Sequence, residues 1–156
     1  MEIREQELID RLALRDLADE YALAVDSRDR ARFAALFTPD GVLAVIEPAD
    51  EEPSLLYCGT EELRGVIDLL RPFSTTFHVM ANHTATLDGP TARATTYCMA
   101  HHLTEEDGRP EGRDTLMLIR YEDELRCGPD GWRFARRDVL RQWTEYHAAE
   151  RARLAG

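Results

Sequence analysis

Among 156 residues, the side chains best suited to acid–base chemistry are Asp26 and a set of histidines, His78, His101 and His102. A neutral imidazole accepts a proton at physiological pH because its ordinary pKa lies near ~6.5. A carboxylate withdrawn from water needs a partner, and an imidazole is one that can hold it ionised. Asp26 interrupts the helical run Y-A-L-A-V-D-S-R-D-R-A-R-F-A-A-L-F. It could simply cap the helix that follows, a role that aspartate fills well. Ser27 and Asp29 can fill that role too, which leaves Asp26 available for a cavity.

On a strand with period two, His78 shares its face with Met80, Asn82, Thr84 and Thr86, a mixture of polar and apolar groups suited to a wet pocket. His101 and His102 are adjacent, so a regular strand turns one inward and the other outward. Parity alone does not decide which. Tyr21 lies five positions before Asp26. On an unbroken helix the two would point roughly 140° apart, but they can converge if the helix ends near Val25. His83 and His147 read as structural or exposed. No histidine or cysteine spacing matches a metal site, so no metal is expected.

The elements that must position these groups follow from periodicity. Leu8, Leu12, Leu14, Leu17, Ala18, Tyr21, Ala24 and Val25 recur with helical spacing between Glu5 and Val25. A second, shorter helix is expected from Asp29 to Phe37, turning Phe33, Leu36 and Phe37 inward. T-P-D-G at Thr38 to Gly41 reads as a turn. Val42 to Ile46 is strand-like, Pro48 to Pro53 is an acidic loop, and Leu55 to Cys58 is a short strand. A third helix should run from Thr60 to Arg71, where Pro72 closes it.

The second half changes character. Phe77 to Leu87, Thr91 to Leu103, Arg113 to Arg126 and Trp132 to Gln142 read as four long strands, separated by D-G-P, E-E-D-G-R-P-E-G and C-G-P-D-G. Helices followed by an antiparallel meander define an α+β fold, with a sheet bent around the helices into a cone that opens on a pocket. One domain should occupy residues 1–146, leaving 147–156 as a frayed tail.

Composition narrows the partners. Thirty acidic side chains oppose 19 basic ones, for a formal net charge of -11. Such a surface repels phosphate backbones and anionic membranes, so neither nucleic acid nor membrane is an expected partner. The nearest approach to a basic patch is Arg133, Arg136, Arg137 and Arg141, and Asp138 interrupts it. Cys58, Cys98 and Cys127 form no pair of close spacing and suggest reduced thiols in the cytoplasm. The charged start M-E-I-R-E-Q-E has no signal-peptide core, and no apolar run approaches the ~20 residues of a membrane span.

The two amphipathic helices, the phrase V-D-S-R-D-x-x-x-F-x-x-L-F-x-x-D-G and the terminal D-G-W-R-F-A-R-R resemble the SnoaL-like branch of the nuclear transport factor 2-like superfamily. The resemblance runs from about Leu8 to Trp143. It implies a cone-shaped α+β barrel, a strongly curved mixed or antiparallel sheet wrapped around three N-terminal helices. V-D-S-R-D and W-R-F-A are further similar to scytalone dehydratase, which implies that Asp26 orients a catalytic histidine at His78, with His101 or His102 as the second. The Tyr21–Asp26 spacing also resembles the tyrosine–aspartate pair of bile acid 7α-dehydratase. Val25 replaces the tyrosine of scytalone dehydratase, and Arg120, Tyr121 and Glu122 do not reproduce its serine and asparagine.

The expected activity is therefore that of a cofactor-independent lyase or isomerase on a hydrophobic cyclic, polyketide- or steroid-like carbonyl compound. Tyr21 would polarise the carbonyl, and Phe33, Phe37, Met80, Asn82 and Tyr97 would contact the substrate. The rival is a non-catalytic binding or assembly module resembling the small subunit of ring-hydroxylating dioxygenases. An apolar outer sheet face and the habits of this fold imply a homodimer or homotrimer.

Overall fold

The computed structural model describes residues 5–105 and 111–151. A 22-residue helix, α1 (Glu5–Asp26), precedes a short α2 (Arg30–Ala35). Then come strand β1 (Phe37–Ile46), strand β2 (Leu55–Cys58), helix α3 (Gly59–Gly65) and a 3-10 turn (Val66–Leu70). Four long strands complete the chain: β3 (Thr75–Asp88), β4 (Thr91–Glu105), β5 (Glu111–Gly128) and β6 (Gly131–Glu150). The strand order is β2-β1-β6-β5-β4-β3, with β1 parallel to β6 and every other neighbouring pair antiparallel. The sheet is mixed, curved and unclosed, and the helices pack on its inner face.

The expected elements are present, with several boundary differences, among them that α2 stops at Ala35 and Phe37 opens β1 instead of ending the helix. Thr38–Gly41 is not a free turn: it is an irregular extended stretch inside β1, between the pairings Phe37–Phe134 and Val42–Arg136. Gly41 is required there, because a Cβ would stand 2.8 Å from both Phe37 Cβ and the Thr38 carbonyl oxygen. The third helix is split into α3 and the 3-10 turn. β6 continues to Glu150, so His147 to Glu150 form the end of a strand, not the beginning of a tail. The centre of the E-E-D-G-R-P-E-G connection lies outside the described residues.

Strand bulges decide which side chains enter the core. β3 shifts register between Met80–Cys98 and His83–Thr96, so three residues of β3 span two of β4. One extra residue reverses the alternation. His78 and Met80 therefore face inward together with His83, Ala85 and Leu87, and Asn82 is turned to solvent. A second bulge separates Phe134–Leu125 from Arg136–Glu124, which brings both Phe134 and Arg137 to the inner face. A third, between the pairings of Leu118 with Trp143 and Ile119 with Arg141, turns Arg141 inward and Trp143 outward.

Arg137 consequently leaves the anticipated basic patch for the core. Its guanidinium is fully buried, bonded twice to Asp123 at 2.8 Å. It stacks 4.2 Å from the ring centres of Tyr21 and Tyr121 and 4.0 Å from that of Phe134. Arg133, Arg136 and Arg141 each pair with a carboxylate, of Asp130, Asp138 and Glu47 respectively. Phe33 and Phe37 are also core, their rings tilted against each other and against Tyr21 and Phe134 respectively. Among the described residues no helix is long and apolar enough to cross a membrane.

Candidate active site

Asp26 is the last residue of α1. It does not cap α2, because Asp29 does that, accepting the Arg32 amide at 2.9 Å. The Ser27 hydroxyl turns back to the Leu23 carbonyl. Asp26 thus reaches across to β3, where Oδ1 lies 2.7 Å from His78 Nδ1 and Oδ2 accepts the His78 amide at 2.9 Å. Thr76, two residues earlier on the same face, donates its hydroxyl to Oδ1 at 2.9 Å. Burial alone would raise the Asp26 pKa, but the ring and amide of His78 and the Thr76 hydroxyl outweigh it and hold the carboxyl below its ordinary value. The carboxylate accepts the Nδ1 proton, which in the neutral ring places the lone pair of His78 on Nε2.

Arg28 secures this arrangement, and sequence reasoning passed over it. It adopts φ 58°, a left-handed conformation costing roughly 1–2 kcal/mol for a residue with a side chain. That turn folds its guanidinium back onto the Val25 carbonyl (3.1 Å) and the Thr76 hydroxyl (2.6 Å). A guanidinium only donates, so Thr76 must accept from Arg28 and is left to donate to Asp26. The available signal was the three-residue link between α1 and α2, which reverses direction without a glycine.

His102 is the inward member of its pair, 4% exposed, with its ring 5.4 Å from that of His78 in an edge-on arrangement and 4.7 Å from Phe73. Its Nδ1 meets the carbonyl oxygens of Ala100 (3.0 Å) and Thr115 (3.2 Å). Burial, aided by the neighbouring His78, depresses its pKa to about 4. His101 points to the outer face, where Nδ1 lies 2.6 Å from Asp114 Oδ2. It is not part of the cavity, contrary to one of the two alternatives left open by its position.

His78 and His102 line a cavity of about 120 Å³ together with Tyr21, Phe73, Met117, Tyr121 and a wall of Leu, Val and Ile side chains. Arg141 supplies its charged edge. Tyr21 forms part of the wall but is held against Arg137, and burial pushes its phenol pKa up to about 12. It makes no hydrogen bond to the Asp26–His78 pair. The other anticipated substrate contacts fall elsewhere. Asn82 is exposed beyond the β3 bulge, and Tyr97 is 48% exposed on the outer face. Phe33 and Phe37 are sealed behind Tyr21, and Met80 packs against the core away from the cavity wall.

A family model described as a SnoaL-like domain matches residues 6–138. The chain belongs to the SnoaL-like family. Solved structures with this fold include a type 2 hexachlorocyclohexane dehydrochlorinase, LinA, at 18% identity and TM-score 0.78, covering 96% of each chain. A Novosphingobium aromaticivorans protein assigned as a scytalone dehydratase is 21% identical with TM-score 0.78, covering 99% of this chain and 100% of the other. A nuclear transport factor 2-like protein with a cystatin-like fold from the same organism is 24% identical with TM-score 0.67, covering 87% of this SnoaL-like chain and 84% of its own. No curated protein matches the chain by sequence comparison.

Proposed function

We propose that this protein is a small cofactor-independent lyase that eliminates a substituent from a compact cyclic carbonyl compound. The observation that carries this reading is the 2.7 Å contact between Asp26 and His78 at the wall of an apolar cavity. His78 Nε2 removes a proton from the carbon beside the carbonyl. The C–H electron pair becomes the new C=C bond, and the leaving group departs with its own bonding pair. Asp26 stabilises the imidazolium that forms and keeps Nε2 aimed at the cavity. An acidic C–H of this kind needs no cofactor for its removal. Arg141, at the cavity edge, offers positive charge to a departing anion.

Size restricts the substrate. An apolar cavity of ~150 Å³ accommodates benzene, so about 120 Å³ suits one ring, and a steroid would require the walls to move. The dehydrochlorinase name of one structural neighbour supports elimination from a six-membered ring. The test is turnover of a panel of β-substituted cyclic ketones. His78→Ala is expected to lower it about 10²–10⁴-fold, the usual contribution of general-base catalysis, with Asp26→Asn also impaired. Unchanged turnover in both variants removes the mechanism. Ligand binding without turnover by the unaltered protein would favour the binding module instead.

We also infer self-association through the outer face of the sheet, where Phe77, Tyr97, Met99 and Trp143 are exposed. Contiguous apolar surface of this kind is characteristic of subunit contacts. Light scattering is expected to give a dimer or trimer at micromolar concentration, and Met99→Glu combined with Trp143→Glu should reduce it to a monomer. A monomeric unaltered protein would contradict this.

A further inference from the structure

We propose that His102 is a fixed hydrogen-bond acceptor, so that the cavity selects a ring carrying a hydroxyl group. This rests on the cavity being the substrate site, as above, but not on the reaction performed there. Carbonyl oxygens only accept, so Nδ1, lying 3.0 Å from the Ala100 oxygen and 3.2 Å from the Thr115 oxygen, carries a proton. A neutral imidazole has one N–H, and His102 spends it on those two strands. Nε2, on the far side of the ring, is left as a bare lone pair.

Nothing about the ring is free to change that assignment. Phe73 and His78 hold its two sides, and the backbone at His102 is itself tied to Asp114 Oδ1 at 3.1 Å. The titratable groups around it are His78 on β3 and Asp114 on β5. Burial keeps the ring neutral, in keeping with its depressed pKa. His102 therefore cannot act as an acid or hydrogen-bond donor toward the cavity. It can only receive. An acceptor among apolar walls left unmatched costs about 1–3 kcal/mol, so a ligand bringing an O–H is favoured roughly tenfold or more over one that cannot donate. The carbonyl of the substrate is repelled from this corner and must lie elsewhere in the cavity.

Phenol and toluene, which differ chiefly in the donor, are suitable probes. Calorimetric titration should show phenol binding about tenfold or more tightly in the unaltered protein. The preference should survive His78→Ala, which removes the other imidazole of the cavity, and vanish when His102→Phe, which keeps a ring against Phe73, is added to that variant. No phenol binding at millimolar concentration, persistence of the preference in the double variant, or its loss in His78→Ala alone would each overturn the proposal. The His78 variant also separates this question from the elimination reading, because it abolishes the proposed base and leaves the His102 Nδ1 contacts to Ala100 and Thr115 in place. Should His102→Phe fail to fold, ¹⁵N NMR of the unaltered protein decides. The proton must be on Nδ1 at pH 7, and phenol must shift the Nε2 resonance of His102; a proton on Nε2 sinks the idea.

Discussion

The described residues include two aspartate–histidine pairs of nearly the same geometry, one on each face of the sheet. Asp26 Oδ1 approaches His78 Nδ1 at 2.7 Å, and Asp114 Oδ2 approaches His101 Nδ1 at 2.6 Å. In each, the second carboxylate oxygen accepts a backbone amide, from His78 and His102 respectively. What differs is the surroundings of the imidazole. The His78 side chain is 6% exposed and lines the cavity, whereas that of His101 is 40% exposed on the outer face. Desolvation strengthens every charge interaction in the inner pair, and water dilutes those in the outer one. The pairing motif is therefore not the site: a largely apolar cavity beside the imidazole is what gives it a task.

The largest effect that would sharpen this contrast is kinetic. His101→Ala should leave turnover within about threefold, against the 10²–10⁴-fold loss expected of His78→Ala. Equal losses would break the comparison. A smaller effect concerns acid stability. The folded-state pKa of Asp26 is lowered, so the ionised carboxylate contributes stability that is present above its unfolded value near ~3.9 and lost as pH falls through the folded one. Asp26→Asn should therefore destabilise the protein at pH 6, with the gap from the unaltered protein closing below about pH 4. Denaturant titrations across that range would show it, and a gap independent of pH would contradict it. His102 adds in the same direction at higher pH, because its depressed pKa disfavours the fold as acid rises from its ordinary ~6.5 towards about 4.

The smallest expected effect separates support of the inner pair from backbone strain. Arg28→Ala loses the contacts to Thr76 and Val25 and keeps the left-handed φ; Arg28→Gly loses the same contacts but relieves the strain. The glycine variant should be the more stable by about 1 kcal/mol. Both should impair turnover equally, since both release the Thr76 hydroxyl. If the glycine variant alone retained activity, Arg28 would matter only to the fold.

Much of this was legible in the chain. Helical periodicity up to Val25 and the supply of alternative caps at Ser27 and Asp29 freed Asp26 for another role, and Asp29 does take the cap. Alternation placed His78 and Met80 on one face, and the meander was marked by its turn dipeptides. Two of the lost readings concern which face of a strand a residue takes. Asn82 reads as the neighbour of His78 under strict period two, yet one extra residue between Met80 and His83 sends it outward. Tyr97 fell with the choice between His101 and His102, because the two tyrosine–histidine positions share parity on β4.

The sequence by itself determined the element order, the helix break at Asp26 and the acidic composition, because those depend on local periodicity and residue type. Only the tertiary structure decided which histidine faces in, where Arg28 reaches, and that Arg137 is core. Each depends on a strand register or a chain reversal set by packing between residues distant in sequence. A one-residue slip exchanges the inner and outer faces of a strand, and no local pattern records where the sheet will take up that residue.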